Sequence, residues 1–342
     1  MQVNTNYLNT SNGYLDSMLD LVFWIVIFII SLAVLIKASD LFTDSTEKIG
    51  VALGLPTFII GVTIVAFGTS LPEFISAIFS FAGNVPEIVV GNVIGANIAN
   101  IFLILGLSAI IGKNIKISRN MLSVDLPMMI AAALLFVFVV FDGKIVLIET
   151  LLLCGMFVVY LLYITREERP TDEKEIKKEI RGLLKIKEIK KRTWAILVFS
   201  GVLIYFSARF TVESVIAFSE IFNVGKEVIA ATIFSIGTTL PELTVSVVAA
   251  SKGKPEIAIG NILGSNIFNA LAVLGIPALL GMIILSVDVF TFNVNIFMLA
   301  VLIAATVLYF FITQDRETTS WEGWLLIIFY IFFILTILGV IV

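Results

Sequence analysis

The chain contains no histidine, a single cysteine (Cys154) and only 14% charged residues in 342. Without histidine there can be no His-based triad, no HExxH metalloprotease site and no Cys/His zinc centre, and one cysteine cannot form an intrachain disulfide. Cys154 sits in the run LLLCGMF and is expected to act as a small buried apolar residue. The scarce charge accompanies a hydrophobic fraction of 59% and a mean hydropathy of +1.08, far outside the range of soluble globular proteins. These numbers describe an all-α integral membrane protein whose solvent is the lipid bilayer. Its net charge of −4 therefore says nothing about partners, and no nucleic-acid partner is expected.

What the chain does have is a repeat. Residues 63–112 align without a gap onto residues 232–281, an offset of 169, with 20 of 50 positions identical. GTSLPE (Gly68 to Glu73) matches GTTLPE (Gly237 to Glu242), and GNVIGANIAN (Gly91 to Asn100) matches GNILGSNIFN (Gly260 to Asn269). Apolar matches could follow from composition, but shared Gly-Thr, Pro-Glu and Gly-x-Asn-Ile-x-Asn in one register mark a duplicated unit.

Apolar runs of membrane-crossing length, roughly 20 residues, centre on 19–38, 57–81, 87–111, 121–141 and 144–165, and again on 194–218, 227–251, 256–284, 286–312 and 321–342. The expectation is ten transmembrane helices in two five-helix repeats. The first repeat covers 19–165 and the second 193–342, with a polar external tail over 1–18 and a charged linker over 166–192. That linker carries 11 basic and 7 acidic residues at helical spacing and reads as a solvated linker helix, too short for a regulatory domain of its own. With the linker in the cytoplasm, 19 Lys and Arg fall inside and 3 outside, so both termini are expected to be extracellular in a cell-membrane protein. An odd helix count per half inverts the second repeat, as in alternating-access transporters with a site near the midplane. Leu122 to Asp125 and Leu285 to Asp288 share the sequence LSVD, and each Asp is expected to cap the start of a helix, the fourth and the ninth.

Glu73 and Glu242 lie deep in apolar runs, where an unpaired carboxylate costs several kcal/mol. Pro72 and Pro241 remove a backbone donor beside each Glu, so both helices are expected to kink or break there and free the carbonyls of Gly68 and Gly237. Thr69 and Ser70, and Thr238 and Thr239, precede the glutamates by four and three residues and share their face. The next helix of each repeat carries Asn92, Ala96 and Asn100, or Asn261, Ser265 and Asn269, at four-residue spacing. These asparagines can supply amide oxygens to an ion or bond between helices. Oxygen-only donors around two carboxylates suit a hard cation such as Ca2+ or Na+. A proton-driven Ca2+ antiporter on the same scaffold and a cation channel are the competing readings, while an intramembrane enzyme lacks a catalytic set.

The two GT[ST]LPE and GNxxGxNIxN pairs resemble the alpha-repeats of the sodium/calcium exchanger family, in the calcium/cation antiporter superfamily, and the likeness covers essentially the whole chain in its prokaryotic-type form without a regulatory domain. The resemblance implies ten helices, exchange of external Na+ for internal Ca2+ without a cofactor, and sliding of the first and sixth helices past the other eight. It implies Ca2+ ligands at Glu73, Glu242, Thr69 and Thr238. Flanking Na+ sites would use the Ala66 carbonyl and Ser70 on one side, and the Ser235 carbonyl, Thr239 and Ser265 on the other, with Asn100 and Asn269 lining the centre. Three positions stand out. Ala96 replaces a serine common in the family, Asn269 replaces the Asp of some relatives including the potassium-dependent branch, and Thr69 and Thr238 differ from the GNxxE pattern of the proton/calcium branch.

Overall fold

A computed structural model of the chain describes residues 6–52, 66–113, 115–116, 125–167, 191–253, 255–314 and 317–341. Its helices are α1 (Asn6–Ala52), α2 (Ala66–Thr69), α3 (Leu71–Ala82), α4 (Pro86–Gly112), α5 (Leu126–Val140), α6 (Leu147–Glu167), α7 (Lys191–Phe222), α8 (Lys226–Thr238) and α9 (Leu240–Ser251). Segments Pro255–Phe268, Asn269–Val273 and Leu274–Leu285 run on as α10, followed by α11 (Ile296–Ile312) and α12 (Ser320–Ile337). Four short strands join them: β1 (Ile115–Lys116), β2 (Lys144–Val146), β3 (Val289–Thr291) and β4 (Glu317–Thr318).

Five described helices are long and apolar enough to cross a membrane, and the bent pair α8/α9 makes a sixth. Helices α3, α5 and α11, and the Leu147–Tyr163 part of α6, are apolar but shorter. Most of α4 and α10 is buried, 78% and 72% of their apolar windows, against 22–33% for α1, α7 and α12. Two central rods are thus wrapped by helices that turn Phe, Ile and Val outward to lipid, as a bilayer solvent demands. α1 packs along α7, with Thr211 Oγ1 donating to Ser31 Oγ at 3.0 Å. α4 crosses α8 closely enough that a Cβ on Gly91 or Gly95 would lie 2.2 Å from the carbonyl of Glu227 or Ala231, which explains glycine at both positions.

The strands form two antiparallel pairs, β1 with β4 and β2 with β3. Each joins the strand after the fourth-numbered rod of one half, α4 or α10, to the strand before the last helix of the other half. The first part of α10 packs against β1 and its far end leads to β3, so the two pairs lie at opposite ends of the bundle.

Several expectations are refined. α1 starts at Asn6, inside the stretch expected as a tail, although its apolar window spans Met18–Phe42. At 47 residues it is about 70 Å long, over twice the hydrocarbon thickness. Asp288 does not open a helix. Val289, Phe290 and Thr291, good strand formers, pair with Val146, Ile145 and Lys144, and α11 begins only at Ile296, behind Asn295, whose side chain accepts from Met298 N. Asp125 does stand at the start of α5, without a side-chain cap bond. Cys154 is half-buried, its Sγ facing Gly275 of α10. The linker helix expected over 166–192 falls largely outside the described residues, as does the first part of the 57–81 span.

Candidate functional site

Both breaks form as the prolines require. Ser70 separates α2 from α3 with φ −92° and ψ 13°, and its repeat mate Thr239 separates α8 from α9 with φ −83° and ψ 4°. Pro72 and Pro241 occupy the first turns of α3 and α9, where a missing N–H costs nothing, and the α8/α9 pair bends by 47°. Glu73 and Glu242 follow in those same first turns, where the helix dipole favours a carboxylate.

The two glutamates come from opposite repeats and converge in the interior, each 1% exposed and near enough to repel the other. The pairing crosses between repeats. Ser70 Oγ donates to Glu242 Oε1 at 3.1 Å and Thr69 also faces Glu242, while Thr238 faces Glu73. Both Glu73 oxygens and Glu242 Oε2 have no hydrogen-bond partner, and no Lys or Arg pairs with either acid among the described residues. Asn100 and Asn269, 0% and 1% exposed, likewise leave their Oδ1 atoms unpaired. Buried polar atoms without partners are costly, and several converging from both repeats suit a cation with oxygen ligands. Among the described residues no three His, Cys, Asp or Glu side chains cluster, so such a shell needs the hydroxyl, amide and backbone oxygens as well.

Other expected ligands are differently engaged. Ser265 is buried on α10, four residues before Asn269. The Ser235 carbonyl already accepts from the Thr239 amide at 3.0 Å and from the Thr238 and Thr239 hydroxyls at 3.3 and 2.9 Å. Ser235 Oγ itself donates to Ala231 O. Ala66 opens α2, four residues before Ser70.

Asn92 and Asn261 bond between helices: Asn92 Oδ1 accepts from Thr238 Oγ1 at 3.3 Å, and Asn261 Nδ2 donates to Glu242 O at 3.2 Å and Ser246 Oγ at 3.0 Å. Sequence reasoning passed over Asn97 and Asn266, repeat mates that meet at the crossing of α4 and α10, with Asn97 Nδ2 donating to Asn266 O at 3.3 Å. Their identity at the exact repeat offset was the available signal. π-helical turns at Ala99–Ile104 and Asn269–Val273 begin beside or at Asn100 and Asn269, the kind of local underwinding found frequently at functional sites.

A cavity of about 500 Å³ lined by Glu87, Lys226, Glu227 and Asn293 lies at the α4 and α8 starts, about 18 Å from Thr238 by helical rise. It belongs to the rim of the bundle, whereas the glutamate pair is shut off from solvent.

The sequence pattern of the family described as sodium/calcium exchanger protein matches residues 23–166 and 192–339. The sodium/calcium exchanger MaX1 of Methanosarcina acetivorans is 31% identical, over 91% of this chain and 97% of its own. A solved structure of the sodium-calcium exchanger NCX_Mj superposes with a TM-score of 0.59 at 26% identity, covering 91% of this chain and 98% of the other. The H+/Ca2+ exchanger CAX superposes with a TM-score of 0.73 over 95% and 86% of the two chains, but at 18% identity it speaks to the fold alone. The repeat, the buried acid pair and these likenesses agree that the chain belongs to the sodium/calcium exchanger family, integral membrane transporters of the prokaryotic type.

Proposed function

We propose that the protein is a secondary active antiporter that exchanges extracellular Na+ for cytosolic Ca2+ by alternating access at Glu73 and Glu242. The observation that carries this reading is the convergence of two buried carboxylates from equivalent helix breaks, ringed by hydroxyls and unpaired amide oxygens. Two carboxylates neutralise one Ca2+, so the loaded site can reorient across the low-dielectric layer without a large charging penalty. Two Na+ would neutralise it equally, and three would move one net charge per cycle, worth about 2.3 kcal/mol per 100 mV. Thr69, Thr238, Asn100 and Asn269 complete the central Ca2+ shell. Ser70 with the Ala66 carbonyl, and Thr239 and Ser265 with the Ser235 carbonyl, serve Na+ on either side, the last once its present bonds loosen.

The ten-helix inverted repeat belongs to the same proposal. Exchanging the halves interchanges the β1/β4 and β2/β3 pairs, which supports a two-fold that turns the helices over. The 19 to 3 split of basic residues supports external termini. Hydroxyls beside both acids favour Na+ over protons as coupling ion, since a proton needs no ring of oxygens.

The test is Ca2+ uptake into proteoliposomes loaded with Na+, compared with choline loading. Uptake that requires internal Na+ supports the exchanger, and uptake that ignores Na+ and follows an imposed pH gradient replaces it with the proton-driven form.

A further inference from the structure

The two acids do not have equivalent surroundings along their own helices. A buried helical serine or threonine ordinarily donates to the carbonyl three or four residues back. Ser80, Ser200, Ser207, Ser214 and Thr306 all do so here. Ser76 does not. It is 1% exposed, and its hydroxyl has no partner, though the carbonyls of Pro72 and Glu73 are within its helical reach. Ser39 and Ser108 also leave hydroxyls unpaired, but neither lies within a helical turn of a buried carboxylate.

Ser76 follows Glu73 by three residues and therefore shares its face of α3. Both Glu73 oxygens are unpaired as well, which puts three partnerless buried oxygens within one turn of one helix. The other repeat has nothing similar. The mate of Ser76 is Val245, and the neighbouring Ser246 hydroxyl, whose own mate is Ala77, accepts from Asn261. Each acid is faced by a hydroxyl from across the repeats, but only Glu242 accepts a hydrogen bond from it, from Ser70, while Thr238 faces Glu73 without one. One carboxylate and one neutral hydroxyl supply a single negative charge, which matches a monovalent hard cation better than a divalent one.

We propose that Glu73 and Ser76 together hold a Na+ ion one turn along α3 from the break, a position with no counterpart beside Glu242. The site rests on the antiporter reading for its role but not for its existence. It gives the chain a Na+ ligand outside the set that the repeat motifs supply, and it makes the Na+ sites of the two repeats chemically unlike.

The experiment is thermal unfolding of the purified full-length protein in detergent, titrated with NaCl against choline chloride at constant ionic strength, and separately with CaCl2. Ser76→Ala is expected to need at least threefold more Na+ for half-maximal stabilisation, with the Ca2+ titration unchanged, and Ser76→Thr, which keeps the hydroxyl, is expected to stay near wild type. Ser80→Ala removes a hydroxyl from the same face that is already bonded, and is expected to leave both titrations unchanged. A wild-type Na+ response from Ser76→Ala overturns the proposal. So does an equal shift in Ser80→Ala, which would reduce the effect to packing, or an equal loss of the Ca2+ response, which would assign the hydroxyl to Ca2+. A Na+ response lost in Ser76→Ala while wild-type uptake follows a pH gradient would uphold the site and remove only the Na+-coupled reading.

Discussion

The two halves of the site carry the same motif and use it differently. Around Glu242 the second repeat has hydroxyls at Ser235, Ser246 and Ser265, and the first repeat has Ala66, Ala77 and Ala96 at the matching positions. In exchange the first repeat holds Ser76 and Ser80 where the second has Val245 and Ala249. The consequence is visible in the bonding: one Glu242 oxygen is satisfied by Ser70, and neither Glu73 oxygen is satisfied. The repeat sets two acids at two helix breaks, and the small hydroxyls around them differ between the halves.

The comparison can be broken most severely at the acids themselves. Glu73→Gln and Glu242→Gln each keep the side-chain shape and remove a charge that Ca2+ needs, so exchange should fall at least about 100-fold, of the order expected when a buried charge loses its counter-charge, with normal elution on gel filtration. Exchange near wild type in either variant would remove that residue from the site. Gly95→Ala should come next. A Cβ there would lie 2.2 Å from the Ala231 carbonyl, so α4 and α8 must separate, at a cost of about 1–3 kcal/mol read as a lower melting temperature.

Two smaller changes sharpen the difference between halves. Asn261→Ala deletes the donor that ties α10 to Glu242 O and Ser246, at a cost of about 1–3 kcal/mol, and should weaken Ca2+ dependence more than Na+ dependence in uptake assays. Ala96→Ser restores a hydroxyl to the first repeat and should lower the Na+ concentration for half-maximal exchange by about fivefold, the equivalent of about 1 kcal/mol. No change would show that position 96 does not touch Na+. Smallest is Lys226→Gln. It breaks a 3.1 Å ion pair with Glu87 at the rim, whose side chains are 29% and 20% exposed, and about 0–1 kcal/mol of melting stability is expected to go with it.

The pieces legible in sequence were those written in special residue types. Pro72, Pro241 and the buried glutamates announced both helix breaks and the acid pair, because proline and an intramembrane carboxylate each carry a large local cost that only a particular structure relieves. Helix existence followed from apolar length. What sequence did not disclose depends on contacts between halves. Ser70 shares a face with Glu73 by spacing, yet its hydroxyl goes to Glu242, since tertiary approach decides which carboxylate it meets. Strands of two or three residues, such as the Val289–Thr291 segment that displaced the expected cap at Asp288, are too short to leave a periodic signal. The π-turns beside Asn100 and Asn269 have no residue code.

The account turns on which gradient the acid pair spends. Radioactive Ca2+ uptake should be followed in proteoliposomes at clamped voltage, with outward gradients of Na+ or of protons imposed separately and choline as the blank. The account predicts uptake that requires internal Na+, is unmoved by the proton gradient and disappears in both glutamine variants. Uptake that ignores Na+ and follows the proton gradient would contradict it.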